Sequence, residues 1–269
     1  MNASASLKRS PLKFLLLLFA LAIPFWLIGA MAGRGLPLPM DLPVSALQVF
    51  CPLIAALILV YREDKLGGVR RLLKRVFDYK RIKQKTWYMP IIFLLPIIYL
   101  LSYEVMRLTW LPLPDEPHIP FLTIPILFVV FFMLAIGEEV GWMGYAVDPL
   151  QERQSALTTS IVLGSVWGIF HVVPDIQANH GLAWIAWQHG VYAVALRIVI
   201  VWLYNNTGKS VFAAILVHDT DNVSWSLFPN YGSHYDPAVT GAITAIVAAI
   251  VTFLWGFKTL ARYRYAGSR

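Results

Sequence analysis

Charge and cysteine are both scarce in this 269-residue chain. Charged residues make up 14% and hydrophobic residues 58%, where soluble domains carry about a quarter and about half. Mean hydropathy is +0.63. So little charge excludes a disordered chain, a coiled coil and almost any soluble enzyme. The lone cysteine, Cys51, stands beside Pro52 in an apolar run, so neither a disulfide framework nor a Cys-based zinc site can be built. It reads as a small buried hydrophobe. No internal repeat is evident and no linker is long enough to separate a pair of domains, which predicts one integral membrane domain over 1–269. There is no His-Glu-x-x-His, so the helical zinc signature is absent. The Gly-x-Ser-x-Gly elbow of serine hydrolases is missing too.

What the chain does have is long apolar blocks. They predict an all-α, polytopic membrane protein with about eight transmembrane helices, at 12–32, 43–61, 87–107, 121–147, 157–178, 182–204, 209–228 and 238–258. The first block ends in Ala30-Met31-Ala32 like a signal peptide, yet is long enough to span and stay. Basic residues set the orientation. Segment 62–85 carries ten Lys and Arg against three acids, an excess equal to the formal net charge of +7. One loop therefore holds the imbalance, as expected of a cytoplasmic loop and not of a nucleic-acid-binding surface. Lys8, Arg9 and Lys13 at one end, and Lys258, Arg262, Arg264 and Arg269 at the other, place both termini on the same cytoplasmic side. Segment 74–86 is a candidate amphipathic surface helix. The expected partners are the bilayer and a membrane-anchored peptide or protein.

Ionisable residues inside spans are costly and mark cavities or partners. Glu104 and Arg107, three apart near a span end, read as a snorkelling ion pair. The others sit deeper: Glu138, Glu139, His171, His189, Arg197, His218, Asp219 and Asp221. Counting from the inner span ends at 1.5 Å per residue, Glu138 and His218 lie roughly 14 Å deep and His171 roughly 21 Å. Gly137, Gly141 and Gly144 on the fourth block, and Gly164 and Gly168 on the fifth, predict that these two helices pack backbone to backbone. His218 and Asn222 are four apart and share a helix face. Two adjacent carboxyls in lipid are tolerated only if one is neutral or paired. A glutamate beside a histidine is also what general-base activation of water needs. A proton-coupled transporter is a competing reading, but the inverted repeats and broken helices of that class are not visible.

Three of these segments resemble the motifs of one family. Gly137-Glu138-Glu139-Val140-Gly141-Trp142-Met143-Gly144-Tyr145 is similar to the paired-glutamate motif of the CPBP proteins, the intramembrane CAAX proteases and bacteriocin-processing (Abi-type) proteins. Trp167-Gly168-Ile169-Phe170-His171 resembles the second motif, and His218-Asp219-Thr220-Asp221-Asn222 the third. Trp202–Gly208 resembles the segment before it. The resemblance implies an intramembrane endopeptidase in which Glu138, Glu139, His171, His218 and Asn222 are catalytic. Glu138 and His171 would activate water, and His218 with Asn222 would hold the oxyanion. No cofactor is implied by that reading; one divalent metal such as zinc, held by the glutamates and histidines, is the alternative. Where the family has an arginine this chain has Met143, which leaves Glu139 in need of a partner: it is protonated, or Arg153 or Arg197 reaches it. A non-catalytic binding or immunity protein of the same fold is the other consequence that loss of the arginine allows. Asp219 and Asp221 add negative charge beside the oxyanion donors, and Asp221 is placed to orient His218.

Overall fold

The computed structural model describes residues 9–32, 35–36, 40 and 42–261. Lys8, Arg262, Arg264 and Arg269, used above for orientation, lie outside them. The chain is an all-α bundle and a multi-pass integral membrane protein: among the described residues, seven helical stretches are long and apolar enough to cross a bilayer. In hydrocarbon every backbone N–H and C=O needs an internal partner, and helices provide one. The α-helices follow in order: α1 (Pro11–Ala32), α2 (Cys51–Leu73), α3 (Tyr88–Leu108), α4 (Ile124–Gly141), α5 (Val147–Gln151), α6 (Ala156–Gln177), α7 (Leu182–Ile185), α8 (Ala193–Asn206), α9 (Val211–Leu227) and α10 (Pro237–Trp255). Two π-helical turns, Trp142–Ala146 and Ala186–Tyr192, join α4 to α5 and α7 to α8.

The expected span at 209–228 is present as α9 but is only 17 residues long. It sits inside the bundle, packed against α3, α4 and α8. Its neighbours shield it from lipid, so it can hold His218, Asp219, Thr220, Asp221 and Ser224 in buried positions. The outer helices do the reverse. On α1, Leu12, Leu16, Leu27 and Met31 are exposed, as side chains solvated by acyl chains are.

Helix starts are capped by side chains. Ser155 accepts from the Thr158 amide at the start of α6, Ser210 from Ala213 at α9, and Asp236 from Ala238 and Val239 at α10. Gly256, with φ +74°, ends α10 in a conformation that favours glycine.

Two expectations about packing are corrected. Segment 74–86 is not one surface helix but three 3-10 turns, at Lys74–Phe77, Tyr79–Arg81 and Lys85–Trp87. Tertiary bonds override the helix there. The Arg75 guanidinium sinks inward and donates to the carbonyls of Gly144 (3.0 Å) and Lys209 (2.9 Å) and to the Tyr204 hydroxyl (2.7 Å). Asp78 accepts from Ser210 Oγ (2.7 Å) and the Phe212 amide (3.1 Å) at the head of α9. These bonds, with Arg9 donating to the Gly144 carbonyl and Ala156 bonded to Lys258, gather the basic segments at one end of the bundle.

The glycine strips do not face each other. Gly137 and Gly141 pack against Val49 and Pro52, on the chain leading into α2. Gly164 and Gly168 pack against Val194 and His189, on the α7–α8 rod. Each strip thus seats a third element, and α4 and α6 meet through longer side chains at the polar site. At Gly141 an added methyl would lie 2.5 Å from the Pro52 carbonyl oxygen, whereas at Gly190 it would meet nothing within 4 Å. Gly141→Ala is therefore expected to destabilise the protein by about 1–3 kcal/mol through overpacking, with Gly190→Ala close to neutral. Thermal unfolding in detergent checks the pair.

Candidate active site

Glu138 and Glu139 lie in the last turn of α4, just before the π-helical turn. Such turns recur at functional sites because the widened backbone re-aims side chains. Here Trp142 directs its indole back along the helix, and Nε1 donates to Glu138 Oε2 at 3.3 Å. A second indole, Trp167 of α6, donates to the same oxygen at 2.6 Å. Oε2 is thereby satisfied, and Oε1 faces two imidazoles. His171 Nε2 lies 3.6 Å from it and His218 Nε2 4.0 Å.

Both ring orientations follow from the other nitrogen. His171 Nδ1 is 2.9 Å from the Trp167 carbonyl, one turn earlier on α6. A carbonyl only accepts, so Nδ1 carries a proton and Nε2 is turned to Glu138. His218 Nδ1 is 2.8 Å from Glu139 Oε1, a carboxylate already held by a cation, so that nitrogen donates as well. The cation is Arg197 of α8: Nη1 reaches Glu139 Oε1 at 3.0 Å and Oε2 at 2.8 Å. Both partners are fully buried. The guanidinium also lies over the Trp167 ring, 4.5 Å from its centroid. Met143, in the position of the expected arginine, is buried and apolar. The charge needed at Glu139 therefore comes from α8 and not from α4. Gly164 makes this possible, since its missing Cβ would stand 3.1 Å from Arg197 Cβ.

Four of the five residues singled out in the sequence thus meet: Glu138, Glu139, His171 and His218. Asn222 is one turn beyond His218, half-buried, and its amide forms no hydrogen bond among the described residues. Asp221 does not orient His218, which is held by Glu139. Instead it accepts from the Tyr192 hydroxyl, itself bonded to Tyr99. Asp219 is fully buried with neither carboxyl oxygen bonded among the described residues. Glu104 and Arg107 form the expected ion pair, at 2.8 Å. Sequence reasoning did not assign the two indoles to the glutamate, nor His189 to Asp175. Trp142 at i+4 from Glu138 was a usable signal; the reach of Trp167 across two helices was not.

A family model described as "Type II CAAX prenyl endopeptidase Rce1-like" matches residues 120–224. That stretch contains all five candidate residues. Along nearly its whole length the chain is also similar to "CAAX prenyl protease 2" of Methanococcus maripaludis, 27% identical over 276 residues, covering 93% of this chain and 96% of the relative. The similarity to these CAAX proteases spans the whole candidate site.

The metal alternative asks for three or more donors converging on one point. Among the described residues no such group of His, Cys, Asp or Glu is present. Trp167 and Trp142 occupy one oxygen of Glu138, and Arg197 takes up both oxygens of Glu139, which leaves Glu138 Oε1, facing the two imidazoles, as the one carboxylate oxygen of the pair open to a ligand.

Arg197→Met would strand a buried carboxylate and is expected to destabilise the protein by about 3–5 kcal/mol. Met143→Arg alone adds an unpaired buried cation and also destabilises. Combined, the two substitutions restore one cation to Glu139, and thermal unfolding of the double variant should recover most of the loss. Additive losses would show that Glu139 needs Arg197 for something other than its charge.

Proposed function

We propose that this protein is a CAAX-type intramembrane endopeptidase acting on membrane-anchored peptides or proteins. Glu138 Oε1, flanked by two imidazole Nε2 atoms while its other oxygen is bonded to two indoles, is the observation that supports this most. A carboxylate with one oxygen free and a histidine beside it is a general base for water. Water held between Glu138 Oε1 and His171 Nε2 loses a proton to this pair as its oxygen attacks the scissile carbonyl.

The developing oxyanion falls to His218 and Asn222. With Nδ1 committed to Glu139, His218 offers Nε2–H to the substrate. Asn222 offers an amide that no described residue engages. Arg197 cancels the charge of Glu139, so the proton on His218 is balanced by Glu138 alone. Fixed donors in a dry pocket are worth far more than the same donors in water, because nothing reorganises as charge develops. The loss of the family's arginine at Met143 does not argue for a non-catalytic protein, since Arg197 supplies the same charge to the same carboxylate.

His171 is 28% exposed along its side chain, which leaves the site an opening for substrate and water. The relative's name points to prenylated C-terminal peptides as the first substrates to try. The basic end of the bundle, with Arg75, Lys209 and Lys258, is the cytoplasmic end in this reading.

The test is cleavage of a bilayer-anchored peptide with a prenylated CAAX terminus by purified protein in liposomes. Glu138→Gln is expected to lower kcat by about 10²–10⁴, and Asn222→Ala by about 10²–10³. Unchanged turnover in Glu138→Gln, His171→Ala and His218→Ala would overturn the reading.

A further inference from the structure

A second acid–imidazole pair stands beside the site. His189, on the π-helical turn Ala186–Tyr192, donates from Nε2 to Asp175 Oδ2. Asp175 is on α6, one turn beyond His171, and so on the same helix face. The ring of His189 lies nearly parallel to that of His171, with centroids 6.1 Å apart and 22° between planes. The placement is enforced by the backbone: a Cβ on Gly168 would lie 2.7 Å from the His189 carbonyl oxygen and 3.0 Å from its Cβ. Glycine at 168 therefore lets the π-helical turn close onto α6 and carry the imidazole to a place beside that of His171. His189 is 11% exposed and Asp175 21%, so the pair is sheltered but reachable by water.

Hydrolysis of a peptide bond needs an acid as well as a base, because an amide nitrogen does not leave as an anion. In the reading above, Glu138 and His171 take a proton from water, and His218 with Asn222 bind the oxyanion. None of the four is assigned to the departing nitrogen. We propose that His189 is the general acid for the leaving amine, with Asp175 as its positioning residue; this rests on the proteolytic reading.

Asp175 accepts the Nε2 proton, so Nδ1 is the nitrogen left for proton transfer, and no described side chain bonds it. A carboxylate on the far nitrogen fixes the ring and stabilises the imidazolium, as in a serine-protease triad. The protons balance. As the water oxygen bonds to the carbonyl carbon, one water proton goes to Glu138 and His171. As the C–N bond breaks, His189 Nδ1–H passes to nitrogen and a neutral amine departs, leaving a carboxylic acid. The proton held by Glu138 and His171 then returns to His189 through water at the open edge, and the acid product ionises into solvent.

The test compares two leaving groups in liposomes. One probe is the prenylated CAAX peptide; the other has sulfur in place of the nitrogen at the bond the wild type cleaves. A thiolate, with a pKa near 8.5, departs without a proton. His189→Gln should lower kcat on the amide by about 100-fold or more, with KM nearly unchanged, yet lower the thioester rate by only about threefold or less. Asp175→Asn should shift the same amide-to-thioester ratio less far, and it serves alone should His189→Gln fail to accumulate. Equal losses on both probes would make His189 merely structural. No loss on either would leave Glu138 to return its own proton. Both outcomes overturn the assignment while leaving the protease reading intact. A wild-type protein that cleaves neither probe would end both.

Discussion

Two neighbouring glutamates in the interior of a membrane protein cannot both be anionic without compensation, and the buried contact between Arg197 and Glu139 is the compensation on which the site depends. It removes one charge from the problem. It also turns Glu139 into a fixed acceptor for His218 Nδ1 and so aims that imidazole at Glu138. Glu138 is then left with indole donors on one oxygen and imidazoles on the other. Removing the guanidinium would change three residues at once: the anion it balances, the ring that anion orients and the indole over which it lies.

The bundle is arranged so that this contact can form. Gly164 and Gly168 bring the α7–α8 rod against α6 closely enough for Arg197 and His189 to reach inward. Gly137 and Gly141 bring α4 onto the start of α2 in the same way. α9, which carries His218, Asp219 and Asp221, is placed where its neighbours shield it from lipid. At the basic end, Arg75, Asp78, Asp148 and Lys209 bind the segments between spans to one another. Asp78 also anchors Ser210, the residue that caps the start of α9.

Much of this was legible in sequence, and the reasons are physical. Apolar runs bounded by basic loops gave most spans to within a few residues, because hydrocarbon leaves the backbone few alternatives; the second, expected at 43–61, instead opens with a 3-10 turn at Val44–Phe50 and runs on as α2 to Leu73, into the expected basic loop. The paired glutamates and the histidines stood out because ionisable groups are rare in such runs. What sequence could not supply was the third dimension of the glycine strips. A small-residue face says that something approaches closely and not what approaches, and the expected α4–α6 seam proved to be two separate seams with other partners. The partner of Glu139 was narrowed to two arginines or a proton, and only the helix packing chooses Arg197. His189 and Asp175 lie on different helices, fourteen residues apart, with no shared spacing to link them.

The central claim is that His171 and His218 both turn Nε2 toward Glu138, with Nδ1 protonated and held by the Trp167 carbonyl and by Glu139. Nitrogen-15 magnetic resonance of histidine-labelled protein in liposomes reads this directly, with His171→Gln and His218→Gln used to assign the two rings. The account predicts protonated Nδ1 signals for both residues and a movement of both Nε2 signals in Glu138→Gln. An unprotonated Nδ1 on either ring, or Nε2 signals indifferent to Glu138, would contradict it.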